Sequence, residues 1–188
     1  MQRPFLIVVS GPPGSGKTTL AHLLAREIHC PVISRDELKE GYVTTSGKSH
    51  AQLQREVDLH IYETFFQTIE LLLSRSISVV VEAAFQNKLW KPKLMELALS
   101  ADIKIIRCSA AGGVARQRFL QRVVSNPNRE KFHGDQIHAL ELDRNAGKDL
   151  AFDPVEINVP MLDVDTTEGY QPGLPAILQF IFQNGSQP

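Results

Sequence analysis

Residues 5–24 read FLIVVSGPPGSGKTTLAHLL: an unbroken apolar run, a turn dense in Gly and Pro, then apolar residues at helical spacing. Residues 5–10 show no polar alternation and are rich in β-branched side chains. That pattern predicts a strand covered on both faces, as in a parallel sheet. Leu20, Leu23, Leu24 and Ile28 then recur at the interval of one helix face. A doubly buried strand feeding a helix commits the chain to an α/β architecture, because parallel neighbours must be joined by right-handed crossovers.

The junction itself constrains function. Gly11-Pro12-Pro13-Gly14-Ser15-Gly16-Lys17-Thr18 has the spacing G-x-x-x-x-G-K-[ST], the P-loop or Walker A pattern. Glycines let the backbone wrap a phosphate with no Cβ in the way. The loop N–H groups form an anion nest, and the following helix adds its positive end. Lys17 is expected to reach the β- and γ-phosphates of ATP, and the Thr18 hydroxyl to ligate Mg²⁺. Thr19 continues the loop into the first turn, so residues 11–19 form the expected nucleotide-binding set.

Four further strands are expected at 31–36, 77–85, 103–109 and 161–167, each an apolar stretch bounded by turn residues. Helices are expected over 50–73, 91–100 with Pro92 in its first turn, 113–125, 135–145 and 172–182. Leu53, Val57, Ile61, Phe65, Ile69 and Leu72 carry the first of these. The reading is one three-layer P-loop NTPase domain over 1–188, with a five-stranded parallel sheet. Segment 125–160, with its Pro, Asn and Gly, reads as loops or a movable lid.

Composition narrows the setting. Hydrophobic content of 43% and charged content of 22% are those of a globular chain. No stretch is apolar for long enough to span a bilayer, and the Gly-rich turn after the first apolar run is unlike a signal-peptide cleavage site. Cys30 and Cys108 lie far apart with no metal-ligand spacing, which predicts a reducing, cytoplasmic location. A net charge of −1 argues against a surface-wide nucleic-acid footprint.

The P-loop alone names no reaction. The N-K-x-D element of guanine-specific GTPases is missing, since Asn87-Lys88 is followed by Leu89-Trp90. No L-S-G-G-Q-like transporter signature is present either. A small phosphotransferase remains, and it needs a base, a metal site and a lid. Asp36, in ISRDELKEG directly after the second strand, is the candidate base. The carboxyl ends of parallel strands line the ligand crevice, which puts it near the γ-phosphate; its alternative role is to cap a helix starting at Glu37. Arg35 is a candidate contact for an anionic substrate group, or a solvated charge. Glu82 ends the apolar strand VVVE and is expected to hold a Mg²⁺-bound water, hydrogen-bond the substrate, or cap a loop. From Lys104 to Lys131 there are seven basic residues and one acid, Glu130. Arg118 and Arg122, four apart, share a helix face and suit a lid that closes over the triphosphate, with Phe119 and Val123 facing the protein; the alternative is a solvated basic face. Arg116, Arg129 and His133 are further contact candidates, and His133 has no second histidine at zinc spacing. Asp163 and Asp165 lie either near the nucleotide base or in turn caps. Residues 40–50, EGYVTTSGKSH, read as a loop over the acceptor, in which Thr44, Thr45 and Lys48 bind substrate or solvate.

GPPGSGKTTL, SRDE after the second strand, a strand ending in Glu and an Arg-rich stretch together resemble the small bacterial P-loop kinases. That group includes the kinase domain of phage-type polynucleotide kinases, chloramphenicol phosphotransferase and the zeta toxins. The resemblance spans roughly residues 5–135, with a weaker echo in LDVDTT. It implies an adenylate-kinase-like sheet, Mg-ATP as donor, Lys17 and Thr18 on phosphate and metal, Asp36 as base, Arg118 and Arg122 in a lid at roughly 112–135, and Glu82 on substrate. Where the toxin pattern has a Gly soon after this Glu, Ala83 and Ala84 follow here. The acceptors of the group differ widely, so the resemblance names none. The expectation is transfer of the γ-phosphoryl group of ATP to a hydroxyl of a small molecule by a monomer. Alternatives are a 5′-hydroxyl polynucleotide kinase and a nucleotide-binding switch with no acceptor.

Overall fold

A computed structural model describes residues 3–48, 52, 55–133 and 152–183. Five parallel strands form one sheet in the order β2-β3-β1-β4-β5: β1 Phe5–Ser10, β2 Val32–Ser34, β3 Val79–Glu82, β4 Asp102–Ser109 and β5 Met161–Asp165. Helices α1 Lys17–Glu27, α2 Arg35–Ser46, α3 Arg55–Ser74, α4 Asn87–Leu97, α5 Gly112–Ser125, α6 Arg129–His133 and α7 Leu174–Phe182 connect and cover them.

The unbroken apolar run of β1 is explained by its central place. Leu6, Ile7, Val8 and Val9 are all fully buried. Leu6 and Val8 pack on one face with Phe65, Ile69 and Leu94 of α3 and α4, while Ile7 and Val9 pack on the other with Leu20, Leu24 and Ile177 of α1 and α7. Each such aliphatic side chain contributes about 1.5–3 kcal/mol on burial. The expected three-layer α/β fold with five parallel strands is therefore the observed one.

Register brings the strand ends together. Val9 pairs with Glu82, Ser34 also pairs with Glu82, Ser10 pairs with Arg107, and Ser109 pairs with Asp165. The carboxyl ends thus form one edge, where the P-loop leaves β1. At the opposite edge, Lys104 of β4 is buried and donates to the carbonyls of Phe180, Ile181 and Gln183. These are carbonyls at the C-terminal end of α7 that have no intrahelical partner, so the ammonium caps that helix.

Three expected boundaries need correction. β2 ends at Ser34, and Arg35 and Asp36 open a helix rather than extend the strand. Residues 40–46 are helical, not a loop, because α2 continues to Ser46. Lys39 and Val43, one turn apart, are both buried, and Gly47 ends the helix at φ 69°. Pro92 lies inside α4, which starts at Asn87, so the helix runs without one backbone donor. The helix expected at 135–145 lies outside the described residues.

Candidate functional site

The P-loop joins β1 to α1 by close backbone approaches. A Cβ on Gly11 would lie 2.4 Å from the Cys108 carbonyl oxygen. Gly14 takes φ +77°, and a Cβ there would lie 2.2 Å from the carbonyl oxygen of Ala115 in α5. The turn is closed by Ser15 N–H donating to Pro12 O at 3.2 Å. No side chain caps α1, whose N-cap is Gly16 in the left-handed region. Its first-turn N–H groups therefore keep their hydrogen-bonding capacity for an anion. Thr18 and Thr19 are exposed in that turn; Pro12 is half-buried, and Pro13 is exposed. Ser15 is fully buried, and its Oγ has no hydrogen-bond partner among the described residues.

Lys17 crosses to β3. Its Nζ lies 3.7 Å from Glu82 Oε1, while Glu82 Oε2 accepts from Ser34 Oγ at 2.7 Å. Glu82 is 1% exposed. Burial pushes its carboxyl above the usual glutamate range, with Asp36 adding to the shift; Lys17, Ser34 and Thr18 pull the other way. Because the folded-state value is raised, ionising Glu82 costs stability as pH rises from 4.5 through the raised value. Glu82→Gln should lack this slope. Thermal unfolding of both proteins from pH 4.5 upward checks it, and parallel curves would contradict it.

The Gly-lined cradle, the orphaned Ser15 Oγ and the uncapped helix start fit a triphosphate. If a hydrated Mg²⁺ were bound beside that triphosphate, the exposed Thr18 hydroxyl and the Glu82 carboxyl would be the oxygen groups able to hold it and its water. No cluster of three His, Cys, Asp or Glu residues suited to a metal forms among the described residues. Such an ion would take its remaining oxygens from phosphate and water, as Mg²⁺ usually does.

Asp36 stands in the first turn of α2, behind Ser34 at the N-cap position, and makes no cap of its own. It lines the same cavity of about 790 Å³ as Lys17, with Arg35, Asp58, Tyr62 and Trp90. Arg35 reaches Asp58 Oδ1 of α3 at 3.4 Å and Asp36 Oδ1 at 3.9 Å. Lys39, also buried, lies 3.5 Å from the same Asp58 oxygen. Tyr62, Phe65, Phe66, Phe85 and Trp90 form one aromatic cluster with centroids 4.9–6.0 Å apart. Phe85 holds its place there at φ 48°. A non-Gly residue in that region costs about 1–2 kcal/mol, which burial of the ring offsets.

The basic stretch divides its duties. Arg118 donates to Thr166 Oγ1 at 3.0 Å, Thr166 O at 2.7 Å and Thr167 O at 3.2 Å. Thr166 Oγ1 in turn donates to Ser15 O at 2.9 Å, so Arg118 braces the P-loop from the end of β5. Arg122 is half-buried and stacks over Phe119 at 5.4 Å. Arg107 forms a two-pronged pair with Asp163 at 2.6 and 2.8 Å, and Asp165 Oδ1 accepts from Thr167 N–H at 2.6 Å. Glu40 of α2 meets α6 through His133 at 2.6 Å and Arg129 at 3.4 Å. Thr44, Thr45 and Lys48 are exposed and do not line the cavity.

Sequence reasoning missed Ser34, Lys39, Asp58, Thr166 and the aromatic wall. Ser34 carried a signal as the first letter of SRDE, and Thr166 a weaker one within LDVDTT. Asp58 lies between apolar positions of a helix read for its periodicity, and Thr166 is brought in from 151 positions away.

A model of the AAA domain matches residues 6–143. A cytidylate kinase of Saccharolobus islandicus is 26% identical over 151 residues, covering 73% of this chain and 78% of that one. The crystal structure of a kinase candidate from Chloroflexus aurantiacus superposes with a TM-score of 0.81 at 30% identity, over 97% of this chain and 98% of that one. The Mycobacterium tuberculosis APS kinase CysC, solved with AMPPNP and APS, shares the fold, with a TM-score of 0.62 at 12% identity over 96% and 99% of the two chains. Among the described residues no helix is long and apolar enough to cross a membrane.

Proposed function

We propose that this chain, which belongs to the AAA domain family and to the P-loop kinases, transfers the γ-phosphoryl group of ATP to a hydroxyl of a small molecule. When bound, Mg-ATP supplies the transferable group. Residues 11–19 hold its phosphates, Lys17 and Thr18 foremost, and Glu82 fixes Lys17 and a metal-bound water. Asp36 orients the acceptor hydroxyl and takes its proton. Arg118 holds the P-loop in shape through Thr166, and α5, which carries Arg118 and Arg122, would serve as the basic lid beside the triphosphate, with any direct contact to phosphate requiring these side chains to leave Thr166 and Phe119. The whole of 1–188 acts as one cytoplasmic, monomeric unit.

One observation carries this reading: Asp36 and Lys17 open into a single cavity. A hydroxyl nucleophile needs a base at that place. A phosphate nucleophile, as in a nucleoside monophosphate kinase, is already ionised, and a carboxylate there would repel it. The charges that line the cavity are also matched, Lys17 and Arg35 against Asp36 and Asp58, with Arg35 3.4 Å from Asp58 Oδ1. That balance favours a neutral acceptor over an anionic one.

The test is transfer of label from γ-labelled ATP with Mg²⁺ to a panel of acceptors: nucleosides, cytidine monophosphate, oligonucleotides with a free 5′-hydroxyl, sugars and hydroxylated aromatic compounds. Label on a neutral alcohol is the expected result. Label on cytidine monophosphate alone would replace the hydroxyl by a phosphate acceptor. Transfer to oligonucleotide ends with a steep salt dependence would assign the chain to nucleic-acid ends instead.

A further inference from the structure

The walls of the acceptor cavity are not uniform. Its charged groups, Lys17, Arg35, Asp36 and Asp58, gather where the P-loop and α2 meet α3. The rest of the lining is mainly apolar, with Leu59 and Tyr62 of α3, Leu89 and Trp90 of α4, and Ala84; Gln86, just before α4, is its one polar side chain besides the Tyr62 hydroxyl. Leu59 and Leu89 are each 55% exposed, so they are not packed into the core; they flank the opening. Trp90 is 4% exposed and stands edge-on to Tyr62 with centroids 5.0 Å apart. The Tyr62 hydroxyl donates to the Leu89 carbonyl at 2.9 Å, which ties α3 to α4 and occupies that hydroxyl's proton.

From this segregation we infer that the acceptor carries a flat aromatic ring beside its reacting hydroxyl. The inference rests on the kinase reading above and narrows its substrate class. The hydroxyl meets Asp36 at the charged end. The ring lies between Leu59 and Leu89, against Tyr62 and Trp90. A bare polyol would leave hydroxyls against leucine side chains with no partner, which is unfavourable. A ring there gains apolar burial and aromatic contact. The ring is either a nucleoside base or a plain arene; the chemistry of the wall suits both.

Trp90 is the one tryptophan in the chain, so intrinsic fluorescence reports occupancy of this wall without turnover. The experiment uses matched pairs on the full chain: cytidine against ribose, and phenylethanediol against ethanediol. Both fluorescence titration and label transfer are read. The ring-bearing member of at least one pair should bind and react at least about tenfold better, the scale on which hydrophobic pockets discriminate. A response confined to cytidine identifies a nucleoside base, and one confined to phenylethanediol a plain arene. The Leu59→Ser, Leu89→Ser double variant should bring that ratio towards unity. Its substituted positions are half-exposed, so it should fold as wild type does.

Equal or better handling of the ring-free members overturns the inference, as does the lack of a saturable signal with either ring-bearing probe. A ratio unmoved in the double variant also overturns it. Saturable ring binding with no label leaving ATP for any acceptor is a different result: it upholds the aromatic site and removes the kinase assignment.

Discussion

Asp36→Asn is expected to slow phosphoryl transfer by about 10²–10⁴-fold, the usual contribution of a positioned general base, while ATP affinity stays as in wild type. The amide keeps the size of the carboxylate and loses its ability to take a proton. Asp36 is half-exposed and makes no cap, so the fold has little to lose. Among the described residues its charged neighbour is Arg35, at 3.9 Å, and not a residue of the P-loop. Single-turnover label transfer beside a nucleotide titration separates the two effects. Undiminished transfer would remove Asp36 as the base. Loss of ATP binding together with transfer would place it in the nucleotide site instead.

Gly14→Ala should damage the nucleotide site from the other side. Its φ of +77° costs a side chain about 1–2 kcal/mol. The added methyl would also lie 2.2 Å from Ala115 O and 2.8 Å from Ala115 C, both backbone atoms. Either the loop deforms or α5 retreats. Arg118 resists that retreat through its bonds to Thr166 and Thr167. A loss of about 2–3 kcal/mol should lower the midpoint of thermal unfolding by about 5–10 °C in a chain of this size, and ATP affinity should fall by at least about tenfold, the equivalent of 1.4 kcal/mol. Gly113→Ala is the control, because a Cβ there meets nothing within 4 Å. If the two variants behave alike, the close approach of α5 to the loop has no energetic weight.

Much of this was legible because it follows from short-range pattern. The run at 5–10 has to lie inside a sheet, and a Gly-rich turn after it has few other uses. Asp36 and Glu82 could be picked out because parallel strands deliver their carboxyl ends to one edge. What escaped depends on tertiary partners. The polar letters of residues 40–46 read as a loop, yet α2 persists because Lys39 and Val43 pack inward and Asp58 waits for Lys39 on α3. Pro92 reads as a helix start, but Trp90, Leu94 and Leu97 bury a face that carries the helix past it. Arg118 and Arg122 share a helix as expected; that one would brace Thr166 and the other stack on Phe119 has no local signature.

The bond from Thr166 to Ser15 joins positions 151 apart. The neighbours of β1 are distant too, since Leu6 pairs with Val79 and Phe5 with Asp102. Closing such long loops makes formation of a parallel sheet slow. The phosphate loop depends for its support on residues far along the chain. Until β5 and the turn after it are synthesised, the chain carries every letter of the phosphate loop without its brace. A shortened product that stops before Thr166 keeps the motif and lacks the hydroxyl that holds Ser15 O, so the loop's letters and the loop's support can be separated by truncation.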